Sequence, residues 1–255
     1  MRVTQALVKF ELLNNEAQNA CTFSSSGNKP FGDLSRLNEQ EKPQYPFMTL
    51  ELNEGILDGS LLEFNASEQK TTAFMSTSVS DENCKFQNVW VEGTLDKPYK
   101  FIGITLDFGL YYPKKVTVEY YQKNIKLNHK TIDNIDNTWV YVDMRANDID
   151  KVRVVFDESW APFEYAWLQE FLFGNVIEWT TNDVISGKLQ EETDIISKVI
   201  PNDTFSLVIY SKRDEFNVIN PTGAYAYLLP NQRFKIREFV HDLDHDTGNV
   251  KSTRE

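Results

Sequence analysis

The 255-residue chain predicts a mainly β protein: an N-terminal antiparallel jelly roll or β-sandwich over residues 1–179, then a smaller β-rich domain over residues 180–240. Three observations predict it. Short runs of β-branched, aromatic and alternating residues recur eight or nine times before Trp179, separated by turn chemistry. No long helical pattern, heptad, internal repeat or low-complexity tract interrupts them. After the aromatic run from Pro162 to Trp179 the composition turns polar at Thr180-Thr181-Asn182-Asp183, and a shorter set of runs follows.

The aromatic run is the joint between the two sets. Alternation places Tyr165, Trp167, Gln169, Phe171 and Phe173 on one face, and Ala166, Leu168, Glu170 and Leu172 on the other. Helical spacing of Phe163, Trp167 and Phe171 fits as well. The aromatic content, Pro162 before the run and Gly174 within it favour a strand. Two largely apolar faces predict burial on both sides, as expected of the strand that closes the sandwich.

The other elements follow in order. Val3 to Leu13 alternates loosely as a strand. Asn14 to Glu41 is polar, with Ser24-Ser25-Ser26-Gly27-Asn28, and reads as a long surface excursion. Tyr45 to Leu52 resumes a strand, and Asp58-Gly59 signals a turn. Phe74 to Ser80 and Val89 to Leu95 are strands on either side of the polar turn Asp81 to Lys85. Phe101 to Phe108 is another, with Ile102, Ile104, Leu106 and Phe108 on one face. Val116 to Tyr121 ends at a hairpin-like gap, Lys123-Asn124. Trp139 to Asp143 and Lys151 to Phe156 complete the first set. In the latter, Val152, Val154 and Phe156 alternate with Arg153 and Val155. Beyond the joint, Val184 to Glu191, Phe205 to Tyr210 and Phe234 to Val240 are strands. Residues 241–255 read as an acidic polar tail, a loose hairpin end or disordered.

Composition narrows the function. The net charge of -12 and a pI of about 4.8 argue against nucleic acid and against an anionic membrane surface. No apolar run approaches the roughly 18 residues of a membrane span. The N-terminus lacks a signal peptide's apolar core. The chain is therefore expected to be made and kept in a cytoplasm until it is assembled or released. Cys21 and Cys84 are too few for a disulfide framework; two reduced thiols are expected, with one bridge as the other option.

Nothing points to catalysis, metal or cofactor. Asp242, Asp244 and Asp246 alternate, but a calcium loop needs glycine at its sixth position and glutamate at its twelfth; this chain has Thr247 and Thr253. His129, His241 and His245 offer no complete zinc set. The nucleophile elbow, phosphate loop and dinucleotide motif are all missing. The binding argument rests on aromatic rings, which offer flat apolar area beside polar groups and so suit sugars. Trp160, Trp139, Tyr111 and Tyr112 fall near predicted loops or strand ends, and Trp160, in Glu158-Ser159-Trp160-Ala161-Pro162, is the foremost candidate. Core packing is the competing role for each.

Leu50 to Asn53 with Leu57 to Ser60, then Gly103 to Phe108, then Val116 to Tyr121, resemble a galactose-binding, jelly-roll β-sandwich. Such sandwiches occur in tail and baseplate proteins of phages and prophages of Gram-positive bacteria. The stretches Thr193 to Ser197, Pro201 to Phe205, Tyr210 to Gly223 and Leu228 to Phe234 are similar to the block that follows the sandwich in those proteins. One departure is Thr72-Ala73-Phe74-Met75-Ser76, where the family carries a Gly-aromatic-Trp-Ser motif. The resemblance implies a non-enzymatic structural component of a phage tail, baseplate or phage-tail-like particle, assembled in the bacterial cytoplasm with other tail proteins. It also implies possible contact with host cell-wall polysaccharide. Phe216, Val218, Ile219 and Tyr225 are then assembly-interface candidates. A stand-alone lectin-like carbohydrate-binding module is the alternative, and a glycoside hydrolase, which needs two facing carboxylates, has the least support.

Overall fold

The computed structural model describes residues 2–30, 32–38, 72–109, 111–190, 204–210, 216–220, 223–230, 232–243 and 250–254. The Tyr45–Leu52 strand, the Asp58-Gly59 turn and the Asp244 and Asp246 positions of the acidic motif lie outside them. The chain divides into two compact units, residues 13–175 and residues 1–12 with 176–255.

The first unit is an antiparallel β-sandwich. A six-residue helix, α1 (Asn15–Ala20), and a short strand, β2 (Thr22–Ser25), begin it. The strands β3 (Phe74–Val79), β4 (Lys85–Phe101), β5 (Ile104–Asp107), β6 (Lys115–Gln122), β7 (Ile125–Asp133), β8 (Trp139–Val142), β9 (Ala146–Glu158), β10 (Tyr165–Leu168) and β11 (Glu170–Leu172) follow. One sheet has five strands in the order β2-β4-β9-β6-β7. The other side is built from a three-stranded sheet, β11-β5-β8, and the pair β10-β3.

Alternation explains the large sheet. Val89 and Val91 of β4, Val152, Val154 and Phe156 of β9, and Val116, Val118 and Tyr120 of β6 are buried, while the residues between them face outward. They meet Ile104, Leu106, Phe108, Leu168, Phe171 and Phe173 from the opposing strands in one apolar core. Ring contacts bind it across the sandwich: Phe74 lies 5.7 Å and Phe108 6.3 Å from Phe156, and Phe101 lies 5.4 Å from Phe173. Burial of this much aromatic area supplies the main driving force for folding. Thr72 to Ser76 is buried throughout, so this segment packs rather than faces solvent.

Several expectations change. The run from Tyr165 is strand, but its two faces do not keep phase. Ala166 and Leu168 point into the core, and so do Phe171 and Phe173, because a bend at Gln169 shifts the parity by one. The bend is held by the Gln169 N–H donating to Asp107 O (2.7 Å) and by its side-chain amide donating to the Thr72 hydroxyl (3.0 Å). Phe101 to Phe108 is two elements: Phe101 ends β4, and β5 starts after Gly103. A Cβ at Gly103 would sit 2.4 Å from the Val142 carbonyl oxygen, so only glycine allows this approach. The Lys123-Asn124 gap is a two-residue turn with both φ positive (49° and 65°), as a type I′ hairpin requires, and it leads into β7, an exposed edge strand that alternation did not reveal.

The polar excursion after Asn14 is also structured. It contains α1, capped by the Asn14 side chain accepting from the Ala17 N–H (3.0 Å), then β2, and a short 3-10 helix over Leu34–Asn38. Gln18 on α1 is buried and works as a surrogate strand. Its side-chain nitrogen donates to Phe171 O (3.0 Å), and its oxygen accepts from the Phe173 N–H (3.0 Å). Cys21 and Cys84 are free, and burial pushes the Cys21 thiol up to about 12.

The second unit corrects the expected boundaries. β1 (Arg2–Leu13) does not join the sandwich. It pairs antiparallel with β15 (Phe234–Leu243), in a sheet ordered β12-β1-β15-β16, where β12 is Gly174–Thr180 and β16 is Val250–Arg254. The sandwich is therefore an insertion between β1 and β12, and the unit expected to begin at residue 180 includes the N-terminus. Its stacked rings explain the pairing: Phe10 lies 4.4 Å from Phe234 and 5.8 Å from Trp179. Of the segment expected as a loose hairpin end or disordered, Val250–Arg254 forms β16 and pairs antiparallel with the end of β15. β13 (Val184–Gln190) pairs antiparallel with β14 (Thr204–Ile209).

Replacing Gln18 with Ala leaves the Phe171 carbonyl and the Phe173 N–H buried without partners. The expected loss is about 1–3 kcal/mol of stability. A urea-unfolding midpoint that does not move would contradict this role for Gln18.

Candidate functional site

Four connections meet at one end of the sandwich: residues 80–84 before β4, 111–114 before β6, 134–138 before β8 and 159–164 before β10. Backbone hydrogen bonds tie them together. The Ser159 N–H donates to Cys84 O (2.9 Å), Lys114 N–H to Glu158 O (2.9 Å), Ile135 N–H to Lys114 O (3.1 Å) and Ser80 N–H to Glu164 O (2.9 Å). Loops fixed this way by a rigid scaffold are common carriers of binding function.

The 159–164 connection is shaped by a buried polar knot. The Ser159 hydroxyl donates to the Ala161 carbonyl (2.6 Å) and lies 2.8 Å from the Ser80 hydroxyl. Ser80 Oγ accepts the Glu164 N–H (3.1 Å), and the Glu164 carboxylate accepts the Ala161 N–H (3.1 Å). Ser159 and Ser80 are each 1 % exposed, so these groups satisfy one another away from water.

The knot presents two rings to solvent. Trp160 is 48 % exposed, and its indole N–H donates to Ile135 O at 3.0 Å, which locks the ring's orientation. Phe163 is 65 % exposed and has φ +65°. It occupies the third position of a turn with Pro162 at the second, where a type II turn calls for positive φ and prefers glycine. For a bulky side chain that conformation costs about 1–2 kcal/mol, and strain of this kind gathers at functional sites. A fixed ring and a strained ring, both facing water, make a preorganised apolar platform.

The other candidates divide. Tyr111 is 39 % exposed, with its ring 5.9 Å from that of Trp167. Tyr112 is partly buried against the core, and Trp139 is half-buried where β8 starts, opposite Asp107. Those two are packing residues first. Phe163 was missed because it was read as the start of the aromatic strand. The signal that could have found it is Ala161-Pro162: proline at a turn's second position exposes the residue after it.

Charge around the rings is negative. Apart from the Lys114–Glu158 (3.1 Å) and Lys115–Asp133 (3.8 Å) pairs, the loop end carries Asp81, Glu82, Asp136 and Glu164 against Lys85. The Lys85 and Asn83 backbone N–H groups, Lys85 foremost, hold the Asp81 carboxyl below its ordinary value. Among the described residues, no group of three His, Cys, Asp or Glu side chains is placed to hold a metal ion.

In the second unit, Phe216 packs against Trp179 with centroids 6.2 Å apart, while Val218, Ile219 and Tyr225 are exposed.

No protein-family model matches the chain, and no curated protein sequence matches it. Solved structures to which it is similar include a family 32 CBM from C. perfringens NanJ in complex with galactose, at 10% identity and a TM-score of 0.37, covering 69% of this chain and 100% of that one. Another is chitosan-binding module 1 of a chitosanase/glucanase from Paenibacillus sp. IK-5, at 15% identity and 0.37, covering 62% and 95%. A third is a Streptococcus pneumoniae fucose binding module, at 15% identity and 0.35, covering 59% and 88%. The sandwich itself is established by its own strand order and core.

Ser159→Ala removes the centre of the polar knot. A drop of about 1–2 kcal/mol in stability is expected, with faster amide exchange confined to residues 160–164. Uniform exchange across the sandwich, or none, would show that the knot does not shape this loop.

Proposed function

We propose that the chain is a non-catalytic carbohydrate-binding protein that takes uncharged sugar on the loop end of its sandwich. The observation that carries the reading is the pair of exposed rings on one connection, Trp160 fixed by its own N–H and Phe163 held at φ +65°. Rings already ordered lose little entropy when a sugar stacks on them, so more of the contact becomes affinity. Neighbouring hydroxyl, carboxylate and carbonyl groups supply hydrogen-bond partners, and the acidic rim disfavours anionic sugars. Bound sugar is held and released without bond cleavage, and no cofactor takes part.

A glycan array of neutral sugars, galactose and fucose among them, tests the reading. Trp160→Ala is expected to weaken binding at least about tenfold, with a stability loss of about 1 kcal/mol from its bond to Ile135 O. Phe163→Gly is the sharper variant. It relieves the backbone strain, so stability holds or rises while binding falls. Absence of saturable binding on the array and on whole bacterial cells, or binding indifferent to both variants, would remove the proposal.

A second reading draws on the other unit, which exposes Val218 (67 %), Ile219 (86 %), Ile185 (66 %) and Tyr210 (72 %). Val218 and Ile219 are consecutive, and such a pair of large apolar side chains in water fits a surface covered on assembly. The chain would then be a structural subunit of a phage tail, baseplate or phage-tail-like particle, carrying the sandwich as its sugar-contacting part. Mass spectrometry of intact particles should find it, and Val218→Ser with Ile219→Ser should release it from them. A chain that stays monomeric and is missing from particles ends that reading and leaves the first intact.

A further inference from the structure

The outward face of the five-stranded sheet holds a cluster that the loop end does not use. Register sets Glu92 of β4, Arg153 of β9 and Glu119 of β6 side by side across three strands. Arg153 Nη2 lies 2.6 Å from Glu92 Oε2, its Nε donates to the same oxygen at 2.8 Å, and Lys151 Nζ lies 3.5 Å from Glu92 Oε1. The Arg153 guanidinium sits 4.6 Å over the Trp90 ring and 5.7 Å from the Tyr121 ring, which Lys151 also approaches at 5.7 Å. Glu119 accepts from the Tyr121 hydroxyl (2.5 Å) and from Lys126 Nζ (2.5 Å).

Two features set this cluster apart from an ordinary ion-pair network. Glu92 is only 7 % exposed although it lies on the outward side of the sheet, because Arg153 and Lys151 roof it. As a stabiliser such an arrangement is poor, since desolvation offsets most of the attraction and apolar residues of similar size often do as well. The second feature is sign. Lys126, Lys151 and Arg153 face Glu92 and Glu119, three cations over two carboxylates, while Asp157 further along the same face accepts from the Thr117 hydroxyl and is offset by Lys115, in a chain whose net charge is -12. Burial works to raise the Glu119 carboxyl, but its bonds from Lys126 and Tyr121 win and hold it below its ordinary value. The roof thus stays organised, with cations and rings uppermost.

We propose that this face is a second glycan-binding surface, specific for an acidic polysaccharide built of uronic acid units. Sugar rings would rest on Trp90 and Tyr121, and their carboxylates would meet Arg153, Lys151 and Lys126. A uronic acid carries its carboxylate on the ring itself, so one sugar makes the ring contact and the ion pair together. Cations beside aromatic faces are suited to both. The acidic loop end repels the same ligand, so the two surfaces separate sugars by charge.

The test titrates polygalacturonate and its methyl ester into the full chain by calorimetry. Polygalacturonate is expected to bind, more weakly as salt rises past the point where the Debye length falls to about 8 Å, and the neutral ester is expected not to. Trp90→Ala should weaken binding about tenfold. Lys126→Gln, a partly exposed position whose loss leaves the fold intact, should weaken it about threefold. Trp160→Ala should change nothing here, which separates failure of this proposal from failure of the loop-end reading. No binding at low salt, equal binding of the ester, a Lys126→Gln variant that binds as well as the parent, or loss with Trp160→Ala would each overturn it.

Discussion

The register of β9 between β4 and β6 is the constraint on which the sandwich depends. One ladder aligns Val91, Val154 and Val118 toward the core and, one step along, Glu92, Arg153 and Glu119 toward water. A slip of a single residue would exchange the two rows, burying three charges and exposing three valines. The same ladder brings Lys85 and Lys115 to Glu158 at its end, where the loops that carry Trp160 and Phe163 begin. Core, outward face and loop end are thus consequences of one pairing.

The loop end shows how a fold holds an unfavourable local conformation. Phe163 has a backbone angle that suits glycine. The support comes from Ser159, Ser80 and Glu164, whose mutual bonds close the connection around it. Evenly satisfied polar groups beneath and apolar rings above are what a binding platform needs: rigidity without buried unpaired atoms. On the outward face Glu92 anchors two cations that in turn hold their places against Trp90 and Tyr121.

Much of the sandwich was legible because strand alternation is a local property. Val152, Val154 and Phe156 announce the inward face of β9, and Val116 and Val118 that of β6, without reference to partners. β7 was not legible, since an edge strand exposed on both sides has no apolar period to read. Gln18 was not either: a glutamine in a polar stretch says nothing of the two backbone groups, more than 150 positions away, that it satisfies. Trp160 was picked out by its place in a turn. Phe163, three residues on, was absorbed into the aromatic strand that follows it.

By itself the sequence determined that the chain is β-rich, that the aromatic run from Tyr165 is strand, and that Trp160 stands near a loop; each rests on spacing and turn chemistry within a few residues. Only tertiary structure decided that β1 leaves the sandwich to pair with β15, that the bend at Gln169 turns Phe171 and Phe173 inward after Ala166 and Leu168, and that Arg153 lies on Trp90. The reason is physical: alternation names a face, but the choice of partner depends on which distant apolar surfaces fit, as Phe10 does against Phe234 and Trp179.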